Sequence, residues 1–140
     1  MDKRTRAREL AMQGLYQLDV QGEYLLEHLW QFFTENESDD STRKLADEWV
    51  KGTWKNMALC DELIVNSAKK WGLARLSFVD KSILRLSTYQ LKFCPDIPAK
   101  VVINEAIEMA KKFSTEKSPA FVNGVLDNIL QKIKSNEPEI

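Results

Sequence analysis

The chain has 140 residues, 44% of them hydrophobic, enough to bury a core, so a folded globular domain over residues 1–134 is expected, with 135–140 as a frayed tail. Twenty basic and twenty-one acidic side chains give a net charge of −1, which excludes a whole-molecule field drawing the protein onto nucleic acid or an anionic membrane. Any polyanion site must therefore be local. The charged start, Met1 to Glu9, has no apolar stretch behind it, and no later run reaches the roughly 18 apolar residues of a membrane span, so the expectation is a cytoplasmic protein.

Asp2 can cap a first helix running to about Val20, with Ala7, Leu10, Ala11, Leu15 and Leu18 on its buried side. Arg4 and Arg8 share a side and Arg6 points elsewhere. This fan of arginines cannot all pair with Glu9, and is expected to stay largely free. Gln21-Gly22 interrupts, and Glu23 to Phe33 reads as a second short helix. Thr34 to Ser41 is a polar, acidic surface connection whose last residues can cap the next helix. From Thr42 to about Lys70 the stripe Leu45, Trp49, Gly52, Met57, Cys60, Ile64 and Ala68 is too long for an ordinary helix. It predicts one kinked helix or two abutting ones, ended by Gly72.

Ser77-Phe78-Val79-Asp80 reads as a capping box with Asp in the Glu position, opening a helix that carries Ile83, Leu84, Leu86 and Leu91 toward Phe93. Cys94-Pro95-Asp96-Ile97-Pro98 stops it, since proline supplies no amide hydrogen and restricts its predecessor. Pro98 and Pro119 both fit a first helical position, with Ser118 as the cap of the last helix. Asn123-Gly124 could signal a hairpin, but Phe121, Val122, Val125, Leu126 and Ile129 follow helical spacing, and Gly124 is read as a close helix-helix contact. The fold class is all-α, with about six or seven helices.

The inventory argues against catalysis and for recognition. His28 is alone, with no Glu-x-x-His or His-x-x-x-His around it, and Cys60 and Cys94 lack zinc-type or C-x-x-C spacing, so no metal or cofactor is expected and both thiols suit a reducing compartment. There is no phosphate-binding glycine loop. Asp39 with Asp40, and Glu105 with Glu108, read as solvated or helix-capping groups. By contrast, arginines in a first helical turn sit where the macrodipole disfavours cations, a conflict that an external anion would resolve. Phe121 has two readings, a core ring or, at a helix start, one that stacks on a base; by spacing alone the core is favoured.

Three segments carry a resemblance. Arg4-Thr5-Arg6-Ala7-Arg8-Glu9-Leu10-Ala11-Met12-Gln13-Gly14-Leu15-Tyr16, then Trp71-Gly72-Leu73-Ala74-Arg75-Leu76 with Val79-Asp80-Lys81-Ser82-Ile83-Leu84-Arg85, then Ile97 to Asp127 with Ile103-Asn104-Glu105-Ala106 and Phe121-Val122-Asn123-Gly124-Val125-Leu126, resemble the NusB transcription antitermination family in order and spacing. The resemblance implies two small, roughly perpendicular helical bundles. It also implies binding to boxA RNA of ribosomal RNA operon leaders together with NusE, a small-subunit ribosomal protein, in a complex with other Nus factors and RNA polymerase. Carried over residue by residue, it places Lys3, Arg4, Arg6 and Arg8 on the RNA, with Phe121 as a stacking ring and Lys117 in the adjoining joint, and Tyr16 and Asp80 toward the partner.

Three positions depart from the family's pattern: Ser114 where glycine is common, Ala120 where a lysine often stands, and Gln90 in place of glutamate. Two rival readings are a protein-interaction scaffold with solvated arginines, and an RNA-binding module like those preceding ribosomal RNA methyltransferase domains, for which a chain ending at Ile140 leaves no room.

Overall fold

A computed structural model describes residues 1–68 and 76–136. Among these residues there are seven α-helices and one 3₁₀ segment, with no strand: α1 (Lys3–Gln21), a 3₁₀ segment (Glu23–His28), α2 (Leu29–Asn36), α3 (Asp40–Lys55), α4 (Met57–Ser67), α5 (Phe78–Phe93), α6 (Ala99–Phe113) and α7 (Ser118–Ser135). The expected helix stop at Gly72, the motif residues Trp71 to Arg75, and residues 137–140 of the expected tail lie outside the described residues.

Local chemistry sets most of the boundaries. The Asp2 carboxylate accepts the Arg4 and Thr5 amides at 2.8 and 3.4 Å and starts α1. Gly22, at φ 114°, ends it in a backbone region that L-residues rarely adopt. The chain leaves that turn with Leu25 N–H on the Gly22 carbonyl, an i to i+3 bond, so the segment expected as one helix from Glu23 to Phe33 is split into a 3₁₀ run and α2. Asp39 caps α3 through the Thr42 amide. Asn56 then separates α3 from α4, so the long stripe is two abutting helices.

Helices α1, α2 and α3 pack on one another, as do α4, α5, α6 and α7, and the two groups are joined chiefly where α1 lies on α5. Leu10, Leu15, Leu18, Phe33, Val50, Ile83, Leu86, Ala106, Leu126 and Ile129 form one continuous apolar cluster across that junction. Ion pairs cross it too: Asp19 of α1 sits 3.0 Å from Lys81 and 3.5 Å from Arg85 of α5, and Arg85 is held in turn within its own group by Asp61 of α4, with two bonds of 2.8 and 2.9 Å.

Three local expectations are corrected. Gly124 is exposed, and a Cβ built there would meet nothing within 4 Å, so it makes no helix contact. The close approach occurs at Gly52, where the Tyr89 hydroxyl occupies the space a Cβ would need. Ser118 lies inside α7 rather than capping it, because its hydroxyl is engaged with Asp80, Ser114 and Thr115. Ser77 does cap α5, accepting the Asp80 amide at 3.0 Å, but the Asp80 carboxylate accepts from Ser114 and Ser118.

Candidate functional site

The first two turns of α1 carry the densest positive charge. Lys3 reaches Ser41 Oγ at 3.2 Å and Asp39 at 3.7 Å, both at the start of α3. Arg4 is exposed and enters no side-chain hydrogen bond or ion pair with the described residues. Arg6 is 27% exposed and donates three bonds: Nε to Glu37 at 3.1 Å, Nη1 to Glu9 at 3.3 Å and Nη2 to the Asn36 carbonyl at 2.9 Å. The Glu37 carboxyl is held below its ordinary range, first by the Asp39 amide and then by Arg6.

Arg8 departs from the expected free fan. It is 2% exposed, its Nε donating to Gln90 Oε1 at 3.2 Å, its Nη1 lying 3.5 Å from Glu105, and its guanidinium 5.1 Å from the centre of the Trp49 ring. Burial lowers its pKa, against the attraction of Glu105, and its Nη2 and the neighbouring Gln90 Nε2 have no hydrogen-bond partner among the described residues. Position 8 faces the α3, α5 and α6 side of α1, so its guanidinium fixes neighbouring helices and does not meet solvent.

Of the acids that match these cations, Glu9 lies in the same helix, while Glu37, Asp39 and Glu105 come from elsewhere in the chain. Glu9, 4% exposed, is the hub: it accepts from Arg6 and, at 3.0 and 3.2 Å, from Lys112 in the last turn of α6. Lys112 is a cation of this surface that sequence reasoning missed. Its position in the last helical turn, where the dipole favours positive charge, was the available signal.

From Lys112 the chain runs directly into the α6–α7 joint. Ser114 donates to Asp80 at 2.6 Å and Ser118 at 3.0 Å, tying the joint to the start of α5. Asp80, 9% exposed, accepts both hydroxyls and so clamps the joint. Ser114 has φ −120° and ψ −158°, open to any residue, so the path of the joint requires no glycine. Beyond it, exposed Lys117 and half-buried Phe121 line a shallow cleft of about 320 Å³ with Ser77 and Thr115. Ala120 is exposed beside them, so the lysine common in the family would have added an exposed cation here.

Tyr16 sits between these two regions. Its ring meets Phe78 edge-on, 6.2 Å between centroids at 79°, beside a cleft of about 350 Å³ that also touches Phe32, Val79 and Phe113. Phe78 is 46% exposed with Lys81 Nζ 4.7 Å from its ring centre, giving an aromatic patch that Tyr16 alone did not announce. Elsewhere, His28 is exposed, Cys60 is buried with its thiol pushed up to about 12, first by burial, and no three His, Cys, Asp or Glu residues among the described residues are placed to hold a metal ion.

Residues 5–131 match the NusB family. The transcription antitermination protein NusB of Syntrophus aciditrophicus (strain SB) is 40% identical over 142 residues, covering 100% of this chain and 88% of that protein. The protein of the same name from Bacillus thuringiensis (strain Al Hakam) is 46% identical over 127 residues, covering 91% and 96%. Among solved structures, T. maritima NusB superposes with a TM-score of 0.84 at 38% identity over 94% of this chain and 92% of that one. A structure of the antitermination factors NusB and NusE in complex with dsRNA gives a TM-score of 0.85 at 28% identity over 94% and 98%.

Proposed function

The chain belongs to the NusB family, and we propose that it is a transcription antitermination factor that binds boxA RNA of ribosomal RNA operon leaders together with NusE, within an RNA polymerase complex containing other Nus factors. It acts by recognition in the cytoplasm, with no reaction of its own and no cofactor. No helix among the described residues is long and apolar enough to cross a membrane.

The observation that carries the RNA reading is the continuity of one surface. The cations at the start of α1 connect through Glu9 to Lys112, and the chain from Lys112 to Ser114 leads to the joint bearing Lys117 and Phe121. Lys3, Arg4, Arg6 and Lys117 provide phosphate contacts and Phe121 the ring on which a base stacks. Arg8 and Asp80 act as positioning residues, holding α1 and the α6–α7 joint in place. The patch formed by half-buried Tyr16 and exposed Phe78 is the face offered to NusE, since aromatic side chains supply contact area at low conformational cost.

Only a few cations of a nearly neutral domain face solvent here, so RNA binding by the isolated chain is weak and NusE strengthens it. A labelled boxA oligonucleotide is titrated by fluorescence anisotropy with and without NusE, beside a scrambled RNA. Arg4→Ala and Lys117→Ala are each expected to weaken binding and to flatten the salt dependence by about 0.7 for each phosphate no longer neutralised. Equal affinity for boxA and scrambled RNA in the presence of NusE would overturn the reading, and unchanged binding by both variants would remove this surface from it.

A further inference from the structure

We infer that the acidic connection between α2 and α3 is a built-in competitor for the RNA-binding cations, with Glu37 standing on Arg6 where a phosphate would stand. This inference rests on the reading that the start of α1 meets RNA, and adds how that site is restrained.

The geometry is that of a prepared stand-in. Glu37 uses both carboxylate oxygens: Oε1 accepts from Arg6 Nε at 3.1 Å, and Oε2 accepts the Asp39 amide at 3.0 Å. Arg6 is also bonded to the Asn36 carbonyl of the same connection, and Lys3 is drawn to Asp39 and Ser41 at its far end. The connection is held from behind as well. Arg43 donates to the carbonyls of Glu37 and Ser38 at 2.8 and 2.6 Å, and its guanidinium lies 5.7 Å from the centre of the Trp30 ring. Glu37 is therefore presented by a braced turn.

The side-chain charges that meet here balance. The cleft between these groups, which Met1 also lines, has three cationic side chains, Lys3, Arg6 and Lys112, and three carboxylates, Glu9, Glu37 and Asp39. A lone anion arriving there meets side-chain cations already matched by carboxylates. Arginine binds carboxylate and phosphate through the same donors, so an RNA phosphate can take Arg6 only by displacing Glu37, or by crowding beside it at a cost in like-charge repulsion. RNA that also reaches Arg4, Lys117 and Phe121 can offset that cost. An unspecific polyanion touching only the α1 end cannot. The strap thus lowers affinity for all anions but lowers it least for the RNA that engages the whole surface.

The test is Glu37→Gln, which removes the charge while leaving an oxygen for the Asp39 amide. Glu35→Gln serves as a control: it removes the same charge from an exposed residue bonded to Gln31. Binding of the labelled boxA oligonucleotide, with NusE present, is measured across a salt series, and thermal melts confirm that each variant is folded. Glu37→Gln is expected to bind about two- to fivefold tighter, the scale of a single exposed ion pair. Its plot of log affinity against log salt should steepen by up to about 0.7, one further phosphate. Glu35→Gln should leave both unchanged, and in an Arg6→Ala background the gain from Glu37→Gln should vanish.

Equal gains in Glu37→Gln and Glu35→Gln would overturn the inference in favour of net charge. No gain in Glu37→Gln while the parent binds well would show that Arg6 receives phosphate beside Glu37, and would overturn it also. A parent chain that fails to bind boxA RNA even with NusE would reject the underlying RNA reading, an outcome distinct from both.

Discussion

Replacing Arg8 separates a structural arginine from a nucleic-acid contact. In Arg8→Ala, Gln90 Oε1 loses its donor, Glu105 keeps only its 2.7 Å bond from Thr5, and Trp49 loses the guanidinium over its ring. Hydrogen bonds from a charged donor are worth about 1.5–3 kcal/mol, a desolvated cation–π contact up to about 2, and emptying a buried long side chain adds a cavity penalty. Against these stands the burial cost that the lowered Arg8 pKa and the unpartnered Nη2 record. The expected balance is a loss of about 3–4 kcal/mol, near the range for breaking a buried charged pair. For a chain of this size that is a fall in Tm of roughly 10 °C. Arg8→Met, which fills the space without a charge to desolvate, should cost about 1.5 kcal/mol or less. The reciprocal change, Gln90→Glu, gives Nε a charged acceptor and should raise Tm by about 2–4 °C. Urea and thermal denaturation followed by circular dichroism read the stability, and boxA titration well below Tm reads the affinity. An Arg8→Ala protein with parental Tm and abolished RNA binding would refute the argument, because that pattern belongs to a guanidinium that leaves the core to meet phosphate.

Gly52→Ala should destabilise by about 1–3 kcal/mol, since the Tyr89 hydroxyl occupies the Cβ position and its ring, stacked 5.7 Å from that of Phe93, has no flexible end to swing away; Gly124→Ala, with open space around it, should be neutral or slightly stabilising, and denaturant midpoints compare the two. A second expectation concerns the acid limb of stability. Asp2, Glu37, Asp39 and Asp40 have carboxyls held below their ordinary values of 3.8 and 4.5, Asp39 chiefly by the Ser41 and Thr42 hydroxyls and the Thr42 amide. Depressed folded values mean that the unfolded chain binds protons first on acidification. Their contribution is therefore complete above about pH 4.5 and declines as pH falls below it. Melts between pH 3 and pH 7 should show this, and Asp39→Asn should flatten the acid limb, whereas an unchanged limb would mean that these caps do not govern it.

What was readable in the sequence is what arises within a few residues along the chain. Asp2, Asp39 and Ser77 cap helices through amides two or three positions on, and the apolar stripes of α1, α5, α6 and α7 repeat within each helix. What escaped depends on distant partners. Arg8 looked like a member of an exposed fan because its bonding groups lie 82 and 97 residues away, at Gln90 and Glu105. Asp80 looked like the second half of a capping box, but hydroxyls 34 and 38 residues further on take its carboxylate. Gly124, beside an asparagine in a helical run, could be assigned a packing role from sequence, yet only the placement of α7 decides which face it presents. Periodicity placed Phe121 in the core, and the ring is half-buried against that core while it also lines the cleft beside Lys117, so its part in stacking on RNA comes from the resemblance alone.

The positions that depart from the family's pattern show how the local and the distant combine. Ser114 replaces the backbone freedom of glycine with a hydroxyl that reaches Asp80, so the joint carrying Lys117 is fixed by a side-chain bond. Gln90 accepts from Arg8 without bringing a charge, leaving Glu105 as the carboxylate that faces the buried guanidinium. Neither change adds or removes an exposed cation, so both act on the scaffold beneath the surface proposed to face RNA. Ala120 is different in kind, because a lysine there would stand in solvent beside Phe121. On the proposed reading, with that cation missing and Glu37 on Arg6, the surface would rely on Arg4, Lys117 and the ring to hold RNA, so a partner that contributes its own contacts should have more to add in this chain than in one carrying the lysine.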